Sequence, residues 1–208
     1  QAGAEYIAAG GASGSSVQVN VNGINGTTAS SVNARMESSV KKTAHTIVDA
    51  ILKDMFGVKG LCSSKIVFCG EISKGKKEIF TCGFDGQDIS QATRDNSLSV
   101  EADWMPGNSG IVYTKYSKMF TDIVEYNLSS RRSRRLAQFP GLNSGAAVSP
   151  DGKIFALILS RDRQVELYIK SLNGKEFRRL TNGAAVEASP CWSPSGDRLV
   201  FTSNRGGR

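Results

Sequence analysis

The sequence has a single histidine, His45, and its four cysteines (Cys62, Cys69, Cys82 and Cys191) include no C-x-x-C spacing. That inventory excludes a zinc site of the usual Cys/His kind, and no metal or cofactor motif stands out. No stretch approaches the about 18 consecutive apolar residues that a membrane-crossing helix requires. The longest, such as Ile154 to Leu159, have strand length, so no insertion into a membrane is expected. The N-terminal Gln-Ala-Gly-Ala-Glu-Tyr has neither a basic n-region nor an apolar h-region, which leaves a removed signal peptide or a start inside a longer protein. With 39% hydrophobic, 8% aromatic and 22% charged residues, the chain is neither disordered nor collagen-like.

What is present is a basic excess, 26 Lys and Arg against 19 Asp and Glu, for a net charge of +7. Residues 1–60 contribute five basic and four acidic residues, so the excess belongs to the remainder. Such a balance permits an acidic partner without naming one.

The first segment alternates weakly as Tyr6-Ile7-Ala8 and then Val17, Val19 and Val21, with Gly-Ala-Ser-Gly-Ser-Ser between, which predicts two strands and a turn followed by a polar loop. From Asn33 the period lengthens: Met36, Val40, Ala44, Ile47, Ile51 and Met55 recur at helical steps, widened by Val48 and Leu52. An amphipathic helix is expected over 33–56, with Asn33 as N-cap, Glu37 at the positive end of the dipole and Gly57 ending it. Two strands and one helix cannot close a core, so residues 1–60 read as the C-terminal part of a small α/β domain.

From residue 62 a repeat takes over. Pro106, Pro150 and Pro194 are spaced by 44 residues, and the same step links Trp104, Val148 and Trp192, then Tyr113, Leu157 and Phe201. Arg134-Arg135-Leu136 meets Arg178-Arg179-Leu180 in register, and stepping back 44 residues reaches Val67, Phe68, Ile79, Phe80 and Phe84. Pro-Gly-Asn, Pro-Asp-Gly and Pro-Ser-Gly separate the first pair of strand-like pieces in each unit, and Asp85-Gly86, Ser129-Ser130 and Asn173-Gly174 the last pair. Four antiparallel strands returning every 40-odd residues mark a β-propeller blade. The fold class is therefore mainly β: a partial propeller of about three and a third four-stranded blades over 62–208, preceded by part of a small α/β domain.

Other residue patterns have simpler readings. Gly11-Ala12-Ser13-Gly14-Ser15 lacks the final glycine of a nucleophile elbow, and His45 lies on a helix flank between Lys41 and Asp49, paired with the latter at i,i+4. Arg131-Arg132-Ser133-Arg134-Arg135 could engage phosphates, yet without interleaved aromatics it reads as a charged outer strand that blocks edge-to-edge pairing, and no nucleic-acid partner is expected. The aromatic columns recur once per blade, which is the mark of packing between blades rather than of a carbohydrate platform. Cys69 shares the apolar column of Tyr113 and Leu157 and reads as a buried thiol; no disulfide is expected.

Val148-Ser-Pro-Asp-Gly-Lys-Ile-Phe-Ala, then Glu166-Leu-Tyr-Ile-Lys-Ser-Leu-Asn-Gly, Arg178-Arg-Leu-Thr and Trp192-Ser-Pro-Ser-Gly-Asp-Arg-Leu-Val-Phe, resemble the Pro-Asp-Gly propeller repeat of the TolB family. The junction Ala44-His45-Thr-Ile-Val-Asp49, Phe56-Gly-Val-Lys-Gly60 and Lys65-Ile-Val-Phe68 is similar to that family's last N-terminal helix entering its first blade. The resemblance covers roughly residues 4–208. It implies an internal piece of a periplasmic, non-enzymatic scaffold of the Tol-Pal cell-envelope system, tied to envelope integrity, cell division and protein transport. A Pal-like lipoprotein would bind the propeller and a TolA-like protein the N-terminal part. An accessory propeller of a prolyl-oligopeptidase-like serine peptidase is the alternative, and a purely structural repeat protein a third reading. No catalytic residue and no cofactor are assigned.

The surface free to specialise is the set of loops joining one blade's last strand to the next blade's first. Counting from the proline turns places them at Leu98, Leu142 and Val186; Ser99, Asn143 and Glu187; Val100, Ser144 and Ala188; and Glu101, Gly145 and Ser189. The family's matching loops face Pal, so Leu98, Ser99, Leu142, Asn143, Ser144, Gly145, Val186, Glu187 and Ala188 are the expected partner-binding residues. Open faces at either end of an incomplete propeller also predict self-association, unless further blades of the same polypeptide cover them.

Overall fold

The computed structural model describes residues 5–206, which fall into two compact units. One runs to Ile66 and takes in Cys82–Ile89; the other holds Val67–Thr81 and everything from Ser90.

In the first unit β1 (Tyr6–Ser13), β2 (Ser16–Gly23) and β3 (Thr28–Arg35) form an antiparallel sheet in that order, and α1 (Val40–Phe56) packs on β3. The expected pair of strands is there, but the expected loop is a third strand, and Asn33 lies on it rather than capping the helix. The reason is a period of two: Ser30, Val32 and Ala34 stand opposite Val21, Val19 and Val17 and share their face. The helix begins seven residues later, where the Ser39 side chain accepts from the Lys42 N–H at 3.2 Å. Gly57 closes it at φ 68°, its N–H reaching the Lys53 carbonyl at 3.0 Å. The buried stripe runs through Thr43 and Ile47, leaving Met36, Val40 and Val48 exposed. Thr43 can be buried because its hydroxyl donates to the Ser39 carbonyl and accepts from the Glu37 N–H.

The second unit is a stack of antiparallel sheets. β4 (Lys65–Ser73), β5 (Lys76–Gly83) and β6 (Ser90–Gln91) form the first, β7 (Ser99–Trp104) to β10 (Arg132–Ala137) the second, β11 (Asn143–Val148) to β14 (Phe177–Arg179) the third, and β15 (Glu187–Trp192) with β16 (Leu199–Ser203) the fourth. Between these lie β8 (Gly110–Tyr116), β9 (Thr121–Asn127), β12 (Ile154–Leu159) and β13 (Glu166–Ser171). By the 44-residue step β4 corresponds to β8 and β12, so among the described residues the first sheet holds the second to fourth strand positions.

The third blade is packed between two others and buries both faces, which is why β12 reads as an unbroken apolar run. Phe155, Leu157 and Leu159 face the second blade through Val112, Ile123 and Leu136, while Ala156 and Ile158 face Trp192, Leu199 and Phe201 of the fourth. Ile111 and Tyr113 turn the other way, toward Ile79 and Val67. The expected packing role of the aromatic columns follows, with Tyr113 at 1% and Leu157 at 0% exposure.

A second column, polar and buried, recurs at the same step. Glu78 and Glu166 each accept from a threonine hydroxyl (Thr93 and Thr181) at 2.5 Å, and each threonine hydroxyl in turn accepts a backbone N–H, from Ile79 and Leu167. The second blade carries Asp122 and Ala137 at these places, and Asp122 is instead reached by the Ser117 hydroxyl.

Candidate functional site

The first strand of the second, third and fourth blades carries a bulge. Pairing shifts between Val100 and Asp103, Ser144 and Ala147, and Ala188 and Cys191, and the residues at the shift, Glu101, Gly145 and Ser189, sit at φ 54°, 61° and 51°. Glycine suits that region; glutamate and serine hold it because the ladder pairs on either side of the bulge fix it. The Glu101 carboxylate links two blades, accepting from the Thr114 hydroxyl of its own blade at 2.8 Å and from the Gly145 N–H of the next at 2.9 Å. Along these first strands lies a cavity of about 470 Å³, lined by Glu101, Asp103, Ser189, Cys191, Trp192 and the prolines Pro150 and Pro194. No histidine lines it.

The proline turns stack at one end of the blades: a Cβ on Gly152 or Gly196 would meet Pro106 or Pro150 of the preceding blade at 3.4 Å. The connections between blades and the turns between second and third strands are therefore at the other end. There the structure divides the expected partner-binding residues. Ser99, Asn143 and Glu187 are not loop residues: each opens the first strand of its blade at 0%, 0% and 1% exposure. Asn143 donates to the carbonyls of Thr121 and Phe139 and accepts from the Phe139 N–H, so its amide ties the connection down. Ser99 donates to Asp95, which also receives the Tyr113 phenol at 2.7 Å and the Lys115 ammonium at 2.5 Å. Burial first, and then Asp95, push that phenol far above its ordinary range. Leu142 is half-buried against the cluster that holds Trp192 and Phe201. Ser144 and Gly145 lie within β11, and Ala188 within β15, where it is exposed. Val186 stands free before β15 at 48% exposure, and Leu98 is half-buried before β7. The placement in loops fails at Ser99, Asn143 and Glu187 because polar residues ahead of a strand resemble loop; the recoverable signal is polarity in all three copies of the column.

The family model described as the TolB beta propeller domain matches residues 52–208, three quarters of the chain. The chain belongs to the TolB propeller family. It is 30% identical over 173 residues to the Tol-Pal system protein TolB of Bordetella pertussis, covering 82% of this chain and 39% of that protein. A TolB homolog of Chlorobium luteolum is 29% identical over 172 residues, covering 81% and 38%. The crystal structure of TolB from Acinetobacter baumannii superposes with a TM-score of 0.88 over 99% of this chain and 54% of that one, at 23% identity. The chain thus spans about two fifths of the length of these curated TolB relatives.

Within the TolB blade, the arginine run occupies the place expected for it. β10 is the sheet edge, Arg132 to Arg135 are exposed, and Arg134 pairs with Glu125 on the adjoining strand at 2.5 Å. His45 departs from expectation: its neighbour is Asp85, 3.7 Å from Nε2, because Asp49 is engaged by the N–H groups of Cys62 and Ser63 at 2.8 Å. Burial pushes the Asp49 carboxyl up, but those N–H groups outweigh it and hold it below the usual carboxylate range. Cys69 is likewise corrected: it is exposed, its thiol donating to the Ser99 carbonyl, since no first strand covers β4 among the described residues.

Proposed function

We propose that this chain is the propeller-bearing part of a Tol-Pal envelope scaffold that works in the periplasm by binding proteins and carries out no catalysis. Residues 1–60 end a small α/β domain facing a TolA-like partner, and 62–208 are blades that receive a Pal-like lipoprotein. The family match over 52–208 carries this reading, and the inventory agrees with it: a lone histidine paired to a surface aspartate offers no base for a serine nucleophile.

The receiving surface is the end of the blades that bears the connections, narrowed to the groups that are exposed there, Val186 and Ala188 with the rim of Leu142. Leu142 itself is a poor probe because its side chain packs between blades. Val186→Arg and Ala188→Arg, in the parent protein, are expected to weaken binding of the acyl-free Pal-like domain by about 1 kcal/mol or more each, about fivefold. Their melting temperatures should match the wild type. Unchanged calorimetric affinity in both variants would refute the surface; no binding by the wild type would refute the partner.

A further inference from the structure

The second unit carries free cations at both ends of its blades. At the end bearing the proline turns, Lys153 is 3.6 Å from Asp151 and Arg198 3.7 Å from Asp197, and Arg131 and Arg132 are exposed beside them on the turn that leads into β10. The opposite end differs in what lies among its cations. Its turns between second and third strands read Lys74-Gly75-Lys76-Lys77 in the first blade, Ser117-Lys118-Met119-Phe120 in the second and Arg161-Asp162-Arg163 in the third. Lys74, Lys118 and Arg163 are exposed and make no ion pair with the described residues, while Lys76 meets only the neutral Asn96 amide. The carboxylates nearby are already met: Asp95 by Lys115 at 2.5 Å, and Asp162 by the Tyr168 phenol and by Arg179 at 3.9 Å. Exposed Glu71 on β4 and Glu101 on β7 are the acids near that end that no cation meets among the described residues.

In the middle blade of this arc the turn ends in Met119, at 81% the most exposed large apolar side chain among the described residues, followed by Phe120 at 37%. The turn is firm rather than loose: the Ser117 N–H donates to the Phe120 carbonyl at 2.9 Å, and the Ser117 hydroxyl to Asp122 at 2.7 Å. A rigid apolar tip between uncompensated cations is the composition that partitions into a phosphate-headgroup interface, where charge attracts and the tip enters the acyl boundary. An acidic protein surface would satisfy the cations but leave Met119 without a reason to project beyond them.

We propose that this end of the blades docks peripherally on an anionic phospholipid bilayer, with Lys74, Lys118 and Arg163 against the headgroups and Met119 inserted between them. The inference does not rest on the Pal-binding reading, and it is tested without any protein partner. The chain is sedimented with vesicles of phosphatidylcholine and phosphatidylglycerol in equal parts and with vesicles of phosphatidylcholine alone. Binding is expected to the mixed vesicles only, and to fall as salt is raised. Lys118→Glu with Arg163→Glu should lower it by more than about tenfold, since each cation near such a surface is worth about fivefold. Met119→Ser should lower it severalfold at unchanged charge and unchanged melting temperature. Equal binding to both vesicle types, or wild-type binding by either variant, overturns the proposal. So does a wild type that ignores vesicles while these variants lose the Pal-like domain, which would make this end a protein interface alone.

Discussion

Leu157→Ala is expected to destabilise the second unit by about 2–5 kcal/mol, more than any other single truncation proposed for it. Leu157 is fully buried in the cluster shared by the second and third blades, with Val112, Ile123 and Phe155 around it. The close packing of blade against blade leaves nothing that can collapse into the space, so the cavity remains and its cost adds to the lost transfer energy. The same column supplies the control. Phe201 is only half-buried on the fourth blade, so Phe201→Ala removes a larger side chain yet should cost less, about 1–2 kcal/mol, because part of its surface is already in water. Urea unfolding of the two variants reads the difference directly. Equal losses would mean that the column does not mark one packing layer repeated from blade to blade.

Thr181→Val should cost about 1–3 kcal/mol although it keeps the shape and adds no cavity. The Thr181 hydroxyl does two things at once: it donates to the buried Glu166 carboxylate at 2.5 Å and accepts the Leu167 N–H at 2.9 Å. Valine leaves one carboxylate oxygen and one N–H without partners, at a glutamate that is 1% exposed. A buried acid that loses a donor cannot recruit water in compensation. Thr181→Ser restores both bonds and should recover most of the loss. Thr93, which serves Glu78 and Ile79 in the same way, should respond alike. If serine proves as destabilising as valine, the methyl group and not the hydroxyl holds that position.

The blades are legible in the sequence for a definite reason: a blade between two others buries both faces, so its second strand is mainly apolar, as in β8 and β12, and the proline turn after the first strand returns in each of the last three sheets. Pro106, Pro150 and Pro194 therefore announce the period by their spacing alone. β3 is not legible, because Thr28–Arg35 alternates serine, alanine and asparagine with a single valine, a pattern too weak to distinguish from loop. The helix start is displaced for a related cause. Met36 and Val40 extend the helical spacing backward, but Ser39 supplies the cap, and spacing alone does not say where the first hydrogen bond closes. At the candidate site, burial separates what sequence could not: Asn143 and Glu187 occupy the same column, and both are buried where they open their strands. The Glu78, Asp122 and Glu166 column, with Thr93, Ala137 and Thr181 opposite, shares the 44-residue step and is recoverable by it. Charge at those positions disguises them as surface.

The central claim is that residues from Val67 onward are blades packed in register at a 44-residue step. Amide hydrogen exchange followed residue by residue tests it most directly. Protection should peak in β8 (Gly110–Tyr116) and β12 (Ile154–Leu159), which are paired on both edges. It should be weaker in β4 (Lys65–Ser73), the same position in its blade, which is paired on one edge only among the described residues. Protection that rises and falls with no relation to the 44-residue step, or that is as high in β4 as in β8, would contradict the account.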